Sequence, residues 1–294
     1  MYVCVYIPVY IYIMLALTSC SVFTKTTTKT AFDPHDFGSL LWQISGNGLK
    51  KPSYLFGTVH LIPQKDYFFS ETAKNIFKKS EQLCLEINAD DPEMMTAAFK
   101  AYLPKGITLK SLLNKTDYDL LTQKLTAQGL RIEIVENMKP ILLSSMLLER
   151  GSTERLMTYE TELAQAAKLQ KKPIVALETP LAQMAFLDSI PYTEQATMLI
   201  ETMQNGNAEL AELVARYTTQ NIDTIYMYIQ DKTTEKGDFN RILLTQRNTA
   251  WLPLIANMAQ QKSCFFAIGA GHLGGNNGLV RLLRKKGFTV QPLK

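Results

Sequence analysis

The 294-residue chain is poor in the residues that build the commonest metal and redox sites. It holds only three histidines and four cysteines. No H-E-x-x-H pattern is present, which excludes the zinc-binding helix of the common metalloproteases. No C-x-x-C pattern is present either, which excludes a metal or redox site of that kind. Cys84 and Cys264 lie inside apolar, strand-like runs, so we interpret them as buried free thiols, with a disulfide as the alternative.

The chain also lacks a strongly basic surface signal. Its formal net charge is only +4, and the basic residues are scattered apart from the run from Arg281 to Lys286. Such a run is typical of the solvated end of a terminal helix, where positive charge also suits the helix dipole. The charge pattern therefore predicts no nucleic-acid partner.

The N-terminal segment, Met1 to Leu17, contains no charged residue and is overwhelmingly apolar, yet it is too short to span a bilayer and remain as an anchor. It ends in Leu17-Thr18-Ser19-Cys20, which resembles the lipobox of bacterial lipoproteins, although the basic residues that normally open a signal peptide are missing. We predict a signal peptide over residues 1–19 and lipidation of Cys20. The alternative is an uncleaved hydrophobic helix, and both place the rest of the protein outside the cytoplasm. With the lipid, the expected location is the bacterial cell envelope, facing the periplasm.

The rest of the chain divides into a tether and one domain. Residues 20–37 are Thr-rich with little apolar periodicity, which is typical of a tether, and His35 within it is interpreted as solvated. Residues 38–294 contain no Pro/Gly/Ser-rich linker, so we predict a single α/β domain with a central mixed β-sheet built from its two halves. An opening β-hairpin and helical spacing over 92–170 and 179–260 complete the prediction.

Four short apolar runs, typical of buried strands, are each followed by an ionisable side chain. Two of them follow the pattern G-x-x-H and supply His60 and His272, and the other two end in Glu86 and Glu178. Strand ends are where α/β sheets usually form sites. Two imidazoles with one or two carboxylates are a familiar ligand set for a divalent first-row metal, with positions left open for water. The pattern therefore predicts metal-assisted hydrolysis, in which one carboxylate could serve as the general base.

Each of these side chains also has an ordinary structural interpretation. A histidine after a strand can hydrogen-bond a neighbouring carbonyl, and a glutamate there can be solvated or salt-bridged. The repetition of G-x-x-H over 200 residues apart favours a shared site. Arg247 lies at helical spacing from Leu243 and Trp251, and we predict that it clamps a substrate carboxylate or an oxyanion. A surface arginine is the alternative.

Together these segments resemble the TraB/GumN family, which includes the Tiki metalloproteases, over about residues 38–294. The resemblance is carried by 55–63, 83–86, 172–183, Arg247-Asn248, 269–278 and 286–290. It implies a single α/β domain related to the erythromycin-esterase and ChaN-like folds, with two half-domains meeting at the site. The Tiki members imply a manganese- or cobalt-dependent peptidase.

Carried over by position, the resemblance implies functional roles for residues that match the family motifs. These are His60, Glu86 and His272 in the metal and catalytic motifs, Arg247 and Asn248 in the R-N pair, and Glu178 in the L-E-T segment as a ligand or a support of the fold. Many relatives have an acidic Gly-Leu/Ile-Asp segment where this chain has residues 157–162, so no role is assigned there.

The function predicted from the sequence is a membrane-tethered, metal-dependent hydrolase that uses Mn, Co or Zn on a peptide or protein substrate. The alternative is a lipoprotein that binds a peptide or small ligand without cleaving it.

Overall fold

The computed structural model describes residues 38–233 and 240–294. The predicted signal peptide and tether, with Cys20 and His35, lie outside the described residues. In the part of the chain that the structure describes, no helix is both long and apolar enough to span a bilayer. The described residues form one mixed α/β domain with a main core around a central sheet and two smaller clusters among the helices.

The strands form one large sheet and one small one. In chain order they are β1 (Leu41–Ser45), β2 (Ser53–Thr58), β3 (Ile62–Pro63), β4 (Gln82–Leu85), β5 (Leu156–Met157), β6 (Ile174–Ala176), β7 (Cys264–Gly269) and β8 (Thr289–Leu293). The six-stranded sheet has the order β6-β4-β7-β2-β1-β8, and β3 pairs with β5 separately. Strands from both ends of the domain therefore share one sheet, as predicted.

Four neighbouring strands of the large sheet, β6, β4, β7 and β2, run parallel to one another. β1 is antiparallel to β2, which confirms the opening hairpin, and to β8. The hairpin turn holds Gly46, Asn47 and Gly48 at positive φ, a conformation that glycine and asparagine adopt most readily. Because these four neighbouring strands are parallel, their carboxyl ends lie along the same edge of the sheet.

Twelve α-helices accompany the sheet in residues 38–233 and 240–294. They are α1 (Glu71–Lys79), α2 (Glu93–Phe99), α3 (Leu109–Leu112), α4 (Lys115–Ala127), α5 (Ile132–Val135), α6 (Pro140–Gly151), α7 (Tyr159–Leu169), α8 (Pro180–Asp188), α9 (Tyr192–Thr218), α10 (Ile222–Thr233), α11 (Arg247–Gln261) and α12 (Leu279–Lys285). Sequence signals explain several of their ends. Ser70 caps α1 by accepting from the Ala73 N–H, and Thr179 caps α8 just before Pro180, which suits the first helical position.

Two local features differ from the sequence prediction. The region 92–170 was predicted to be helical almost throughout, but it contains β5, whose two residues are too few to produce a strand periodicity. The strand predicted to run from Pro173 to Glu178 is shorter, since β6 covers only Ile174–Ala176. A π-helical segment, Arg241–Gln246, also leads directly into α11.

The two cysteines of the domain are buried and free, as interpreted from the sequence. Cys84 lies on β4 and Cys264 on the adjacent β7. Gln82 Nε2 donates to Cys264 Sγ at 3.0 Å. Both belong to the main core cluster of the sheet.

Candidate functional site

The structure brings the predicted side chains together at the carboxyl edge of the parallel strands. His60 follows β2, Glu86 follows β4, Glu178 follows β6, and His272 follows β7. The pairing of β2 with β7 places Thr58 opposite Gly269, so the two G-x-x-H segments leave the sheet side by side. This one parallel pairing brings together two histidines that lie over 200 residues apart in the sequence.

Arg247 lies at the centre of the site, and its side chain is only 3% exposed. Its Nη2 donates to Glu86 Oε2 at 2.6 Å and to Glu178 Oε1 at 2.7 Å. Its Nη1 contacts His272 Nε2 at 3.2 Å. The guanidinium also stacks over the Trp251 ring, 4.5 Å from its centroid. Arg247 is therefore not a surface arginine, and its donors are directed at protein carboxylates.

Glu86 is buried, yet it is held in its ionised form. Its Oε1 accepts from the Gly269 backbone N–H at 2.8 Å, and its Oε2 accepts from Arg247. Burial opposes ionisation, but the charge of Arg247, the two histidines and the Gly269 N–H together outweigh it and lower the pKa of Glu86 to about 2. Glu86 is therefore a carboxylate at neutral pH, as a metal ligand must be.

Glu178 is tied more completely to the protein than Glu86. Its Oε1 accepts from Arg247 Nη2 and from Gln183 Nε2, the latter at 3.0 Å. Its Oε2 accepts from Arg247 Nε and from Trp251 Nε1, both at 3.2 Å. Burial raises the pKa of Glu178, and the charge of Arg247 offsets only part of that effect. Both oxygens therefore already have two protein donors, which is the pattern of a residue that anchors Arg247.

Asn248 fixes the orientation of His272. Its Nδ2 donates to the backbone oxygens of His272 and Asn277, at 3.1 and 2.8 Å, so the amide oxygen must face the His272 ring. Asn248 Oδ1 lies 2.7 Å from His272 Nδ1. Because an amide oxygen only accepts, Nδ1 carries the proton, and Nε2 keeps its lone pair, which accepts from Arg247 Nη1 at 3.2 Å.

His272 remains neutral at physiological pH. It is buried against Trp251, with ring centroids 4.6 Å apart. Burial and the positive charge of Arg247 lower the pKa of His272 to about 3. The second G-x-x-H histidine thus presents an unprotonated Nε2, which suits metal ligation or proton acceptance.

His60 stands in a different environment, with 31% of its side chain exposed. Its Nδ1 lies 3.5 Å from Glu160 Oε1, and the same Glu160 oxygen accepts from Thr58 Oγ1 at 2.9 Å. Burial disfavours the imidazolium, but the hydrogen bond and charge of Glu160 outweigh it and raise the pKa of His60. The two histidines therefore have pKa values displaced in opposite directions.

Glu160 is the site residue that the sequence analysis missed. It belongs to the segment 157–162, to which no role was assigned. The pairing of β3 with β5, Ile62 opposite Met157, brings this segment beside His60 because β3 follows His60 and β5 precedes Glu160. Its only sequence signals were the cap Thr158 and an acidic residue in the first turn of α7, and both also occur in ordinary helices.

Each of the two G-x-x-H segments has a different steric reason for beginning with glycine. A Cβ on Gly57 would lie 3.1 Å from the side chains of Ala270 and Leu273, which pack across from β2. A Cβ on Gly269 would lie 3.2 Å from Glu86 Oε1. Glycine at this second position lets the backbone N–H reach the carboxylate. The motif therefore allows close packing at the end of β2 and a hydrogen bond to Glu86 at the end of β7.

The donor set fits a divalent metal in part. Each histidine has its Nδ1 facing an oxygen, Glu160 for His60 and Asn248 for His272, which is the usual outer contact of a metal-ligating imidazole. Glu86 has one protein donor on each oxygen and can accept more. Glu178 does not fit, because both of its oxygens are occupied, and His272 Nε2 would have to exchange its contact with Arg247 Nη1 for the metal. Within the described residues, however, no three His, Cys, Asp or Glu side chains lie close enough together to form a metal site in this conformation.

The fold and this edge define a mixed α/β protein in which strand-end imidazoles and carboxylates surround a buried arginine. A sequence model of the TraB/PrgY/gumN family matches residues 40–292, and the chain belongs to that family. The resemblance drawn from the motifs is thereby confirmed.

Among its relatives are proteins named metalloproteases. The chain is 25% identical to zebrafish (Danio rerio) metalloprotease TIKI1, over 90% of the chain and 65% of the relative. It is 24% identical to Xenopus tropicalis metalloprotease TIKI2, over 87% of the chain and 60% of the relative. The chain is 23% identical to human metalloprotease TIKI1, over 87% of the chain and 62% of the relative. The chain thus spans less than two thirds of the length of these three relatives. No solved structure matches it significantly.

Proposed function

We propose that this chain is a metal-dependent hydrolase that cleaves a peptide or protein substrate. The observation that carries the proposal is the convergence of His60, Glu86 and His272 at one sheet edge, each with an outer contact that orients it. The metalloprotease names of its relatives support the same reaction class. His60, His272 and Glu86 would hold Mn, Co or Zn, whose donor preferences include imidazole and carboxylate.

A divalent cation held there would polarise the substrate carbonyl and acidify its bound water. The surrounding residues supply the remaining functions. Arg247 helps to keep Glu86 ionised, and Asn248 keeps the proton of His272 on Nδ1, so that Nε2 stays an acceptor. Glu160 orients His60 and is the carboxylate that remains available to accept a proton from water. Glu178 anchors Arg247.

The proposal is tested by metal content and turnover in matched variants. The purified protein should bind about one equivalent of metal, and His60→Ala and His272→Ala should each reduce it. Glu86→Gln and Glu178→Gln form a matched pair: the first should lose metal, whereas the second should keep metal and lose mainly stability. Unchanged metal content in both histidine variants would refute the site.

We further propose that the protein is lipid-anchored through Cys20 in the bacterial cell envelope and faces the periplasm. The support is the lipobox-like Leu17-Thr18-Ser19-Cys20 after an uncharged apolar segment. Intact-mass analysis of the membrane fraction should show loss of residues 1–19 and addition of acyl chains. Cys20→Ala should release the protein from the membrane, and a membrane-bound Cys20→Ala protein that keeps residues 1–19 would instead favour the uncleaved helix.

A second candidate is a protein that captures a peptide without cleaving it. The observation in its favour is that Arg247 already engages Glu86 and Glu178, and no three-ligand group is preformed among the described residues. Mass spectrometry of candidate peptides, incubated with metal or with chelator, separates the two functions. A peptide that is bound and recovered intact under every metal condition favours capture.

A further inference from the structure

Two cavities open on either side of His60. The first has a volume of about 100 Å³ and also reaches Arg247 and His272. The second has a volume of about 190 Å³ and also reaches Glu86 and Glu160. His60 lines both cavities, so a molecule bound across the site would extend into each of them from the same imidazole.

The first cavity has several aliphatic side chains in its wall, and the buried Glu209 also lines it. The aliphatic side chains come from β2, α9, α10 and the π-helical segment, and include Val59, Leu213, Ile225, Ile229, Leu243 and Leu244. The volume of the cavity is well above the roughly 10–15 Å³ that a single water needs, so it can admit an aliphatic side chain. Because an apolar wall offers water few partners, filling the cavity with an aliphatic group is favourable.

The second cavity contains a buried acceptor with no partner. Gln183 is 5% exposed, and its Nε2 is committed to Glu178 Oε1. Its Oε1 is buried and has no hydrogen-bond partner among the described residues. The nearby Asp90 pairs with Lys168 at 2.7 Å, whereas Gln183 Oε1 has no donor among the described residues. A peptide main chain carries an N–H donor at nearly every residue.

We infer that the site binds a peptide across His60, with an aliphatic side chain in the first cavity and a main-chain N–H donated to Gln183 Oε1 in the second. This rests on the proposed hydrolase function and gives its substrate class: peptides with a residue of valine to leucine size beside the cleaved bond. Because the first cavity has aliphatic side chains in its wall and the second has polar ones, the peptide would lie with its aliphatic side chain in the first cavity.

The test uses the full-length protein and short fluorescent peptides whose central bond is an uncleavable isostere. The peptides differ only in the residue before that bond, which is alanine, leucine, phenylalanine or lysine. Affinity is measured by fluorescence anisotropy, with and without chelator. The leucine peptide should bind at least about tenfold more tightly than the alanine peptide, since each methylene in an apolar pocket is worth about tenfold or more. The lysine peptide should bind more weakly than the leucine peptide, because its ammonium loses water in a largely apolar cavity.

Three variants locate the effect. Leu244→Trp should fill the first cavity and remove the preference for leucine, whereas Leu213→Ala should enlarge it and move the preference to phenylalanine. Leu169→Trp, the same exchange at an 86% exposed position, is the matched control and should bind like the unmodified protein. Gln183→Leu should weaken all four peptides by a similar factor and leave their order unchanged. Circular dichroism melts verify that each variant is folded.

Equal affinity for the alanine, leucine and lysine peptides would overturn the inference, and so would Leu244→Trp behaving like Leu169→Trp. The outcome is separable from the hydrolase proposal. Selective binding of the leucine peptide, with its natural counterpart left uncut under every metal condition, supports the inference and refutes the hydrolase. Cleavage that ignores the side chain supports the hydrolase and overturns the inference.

Discussion

Arg247→Met removes the charge that two buried carboxylates share, and the structure sets the size of the effect. The pKa of Glu86 stands at about 2 rather than its ordinary 4.5, although burial alone would raise it. At about 1.4 kcal/mol per pKa unit, that difference corresponds to about 3.5 kcal/mol, of which Arg247 is the largest favourable cause beside His272, His60 and the Gly269 N–H. Removing one partner of a buried ion pair typically costs about 3–5 kcal/mol. We expect Arg247→Met to lower the free energy of unfolding by that amount.

Urea denaturation at pH 7 measures this loss, with Arg131→Met as the control because Arg131 is 79% exposed and pairs only with Glu133. The control should change stability by less than about 0.5 kcal/mol. Because the pKa of Glu86 is lowered on folding, its contribution is present above pH 4.5 and is lost as the pH falls towards 2. The difference between the protein and Arg247→Met should therefore narrow below pH 4.5. A loss under about 1 kcal/mol at pH 7, or a difference independent of pH, would refute the reasoning.

Acid should also destabilise the folded protein through His272, because the pKa of His272 is about 3 in the folded protein and 6.5 in the unfolded chain. Between those pH values the unfolded chain binds a proton that the folded protein does not, so the urea midpoint should fall as the pH falls. In His272→Gln the urea midpoint should fall less steeply. Gly269→Ala should lower the free energy of unfolding by about 1 kcal/mol or more, because the new Cβ would lie 3.2 Å from Glu86 Oε1. Gly38→Ala, at an exposed position, should change the free energy of unfolding little. Equal effects of the two substitutions would contradict the steric account. Asn248→Ala should weaken metal binding about 10- to 100-fold in calorimetry by releasing the His272 ring, and unchanged affinity would show that Asn248 does not orient it.

The strand ends were predictable because they depend on local patterns that translate directly into geometry. An apolar run followed by a glycine and a histidine indicates where a strand leaves a sheet, and parallel strands bring such ends to one edge. Once β2 pairs with β7, the two histidines that follow these strands must lie near each other. The same logic placed Glu86 and Glu178.

The burial of Arg247 and the approach of Glu160 were not predictable in this way. Arg247 reaches the site from α11, and its helical spacing fits a surface position as well as a buried one. Glu160 arrives through a two-residue strand pair, which leaves no periodic trace in the sequence. Both depend on tertiary packing, which brings a side chain from a helix to a sheet edge without changing the local pattern.

The division of labour between the two strand-end glutamates follows from the number of donors that each accepts. Glu178 receives four hydrogen bonds, from Arg247 Nε and Nη2, Trp251 Nε1 and Gln183 Nε2. Glu86 receives two, from Arg247 Nη2 and the Gly269 N–H. A carboxylate has about four lone-pair positions, so Glu178 has none to spare while Glu86 keeps about half of its capacity. Because the same guanidinium links them, the saturation of Glu178 fixes Arg247 in place, and that fixed charge keeps Glu86 ionised and able to accept a further ligand.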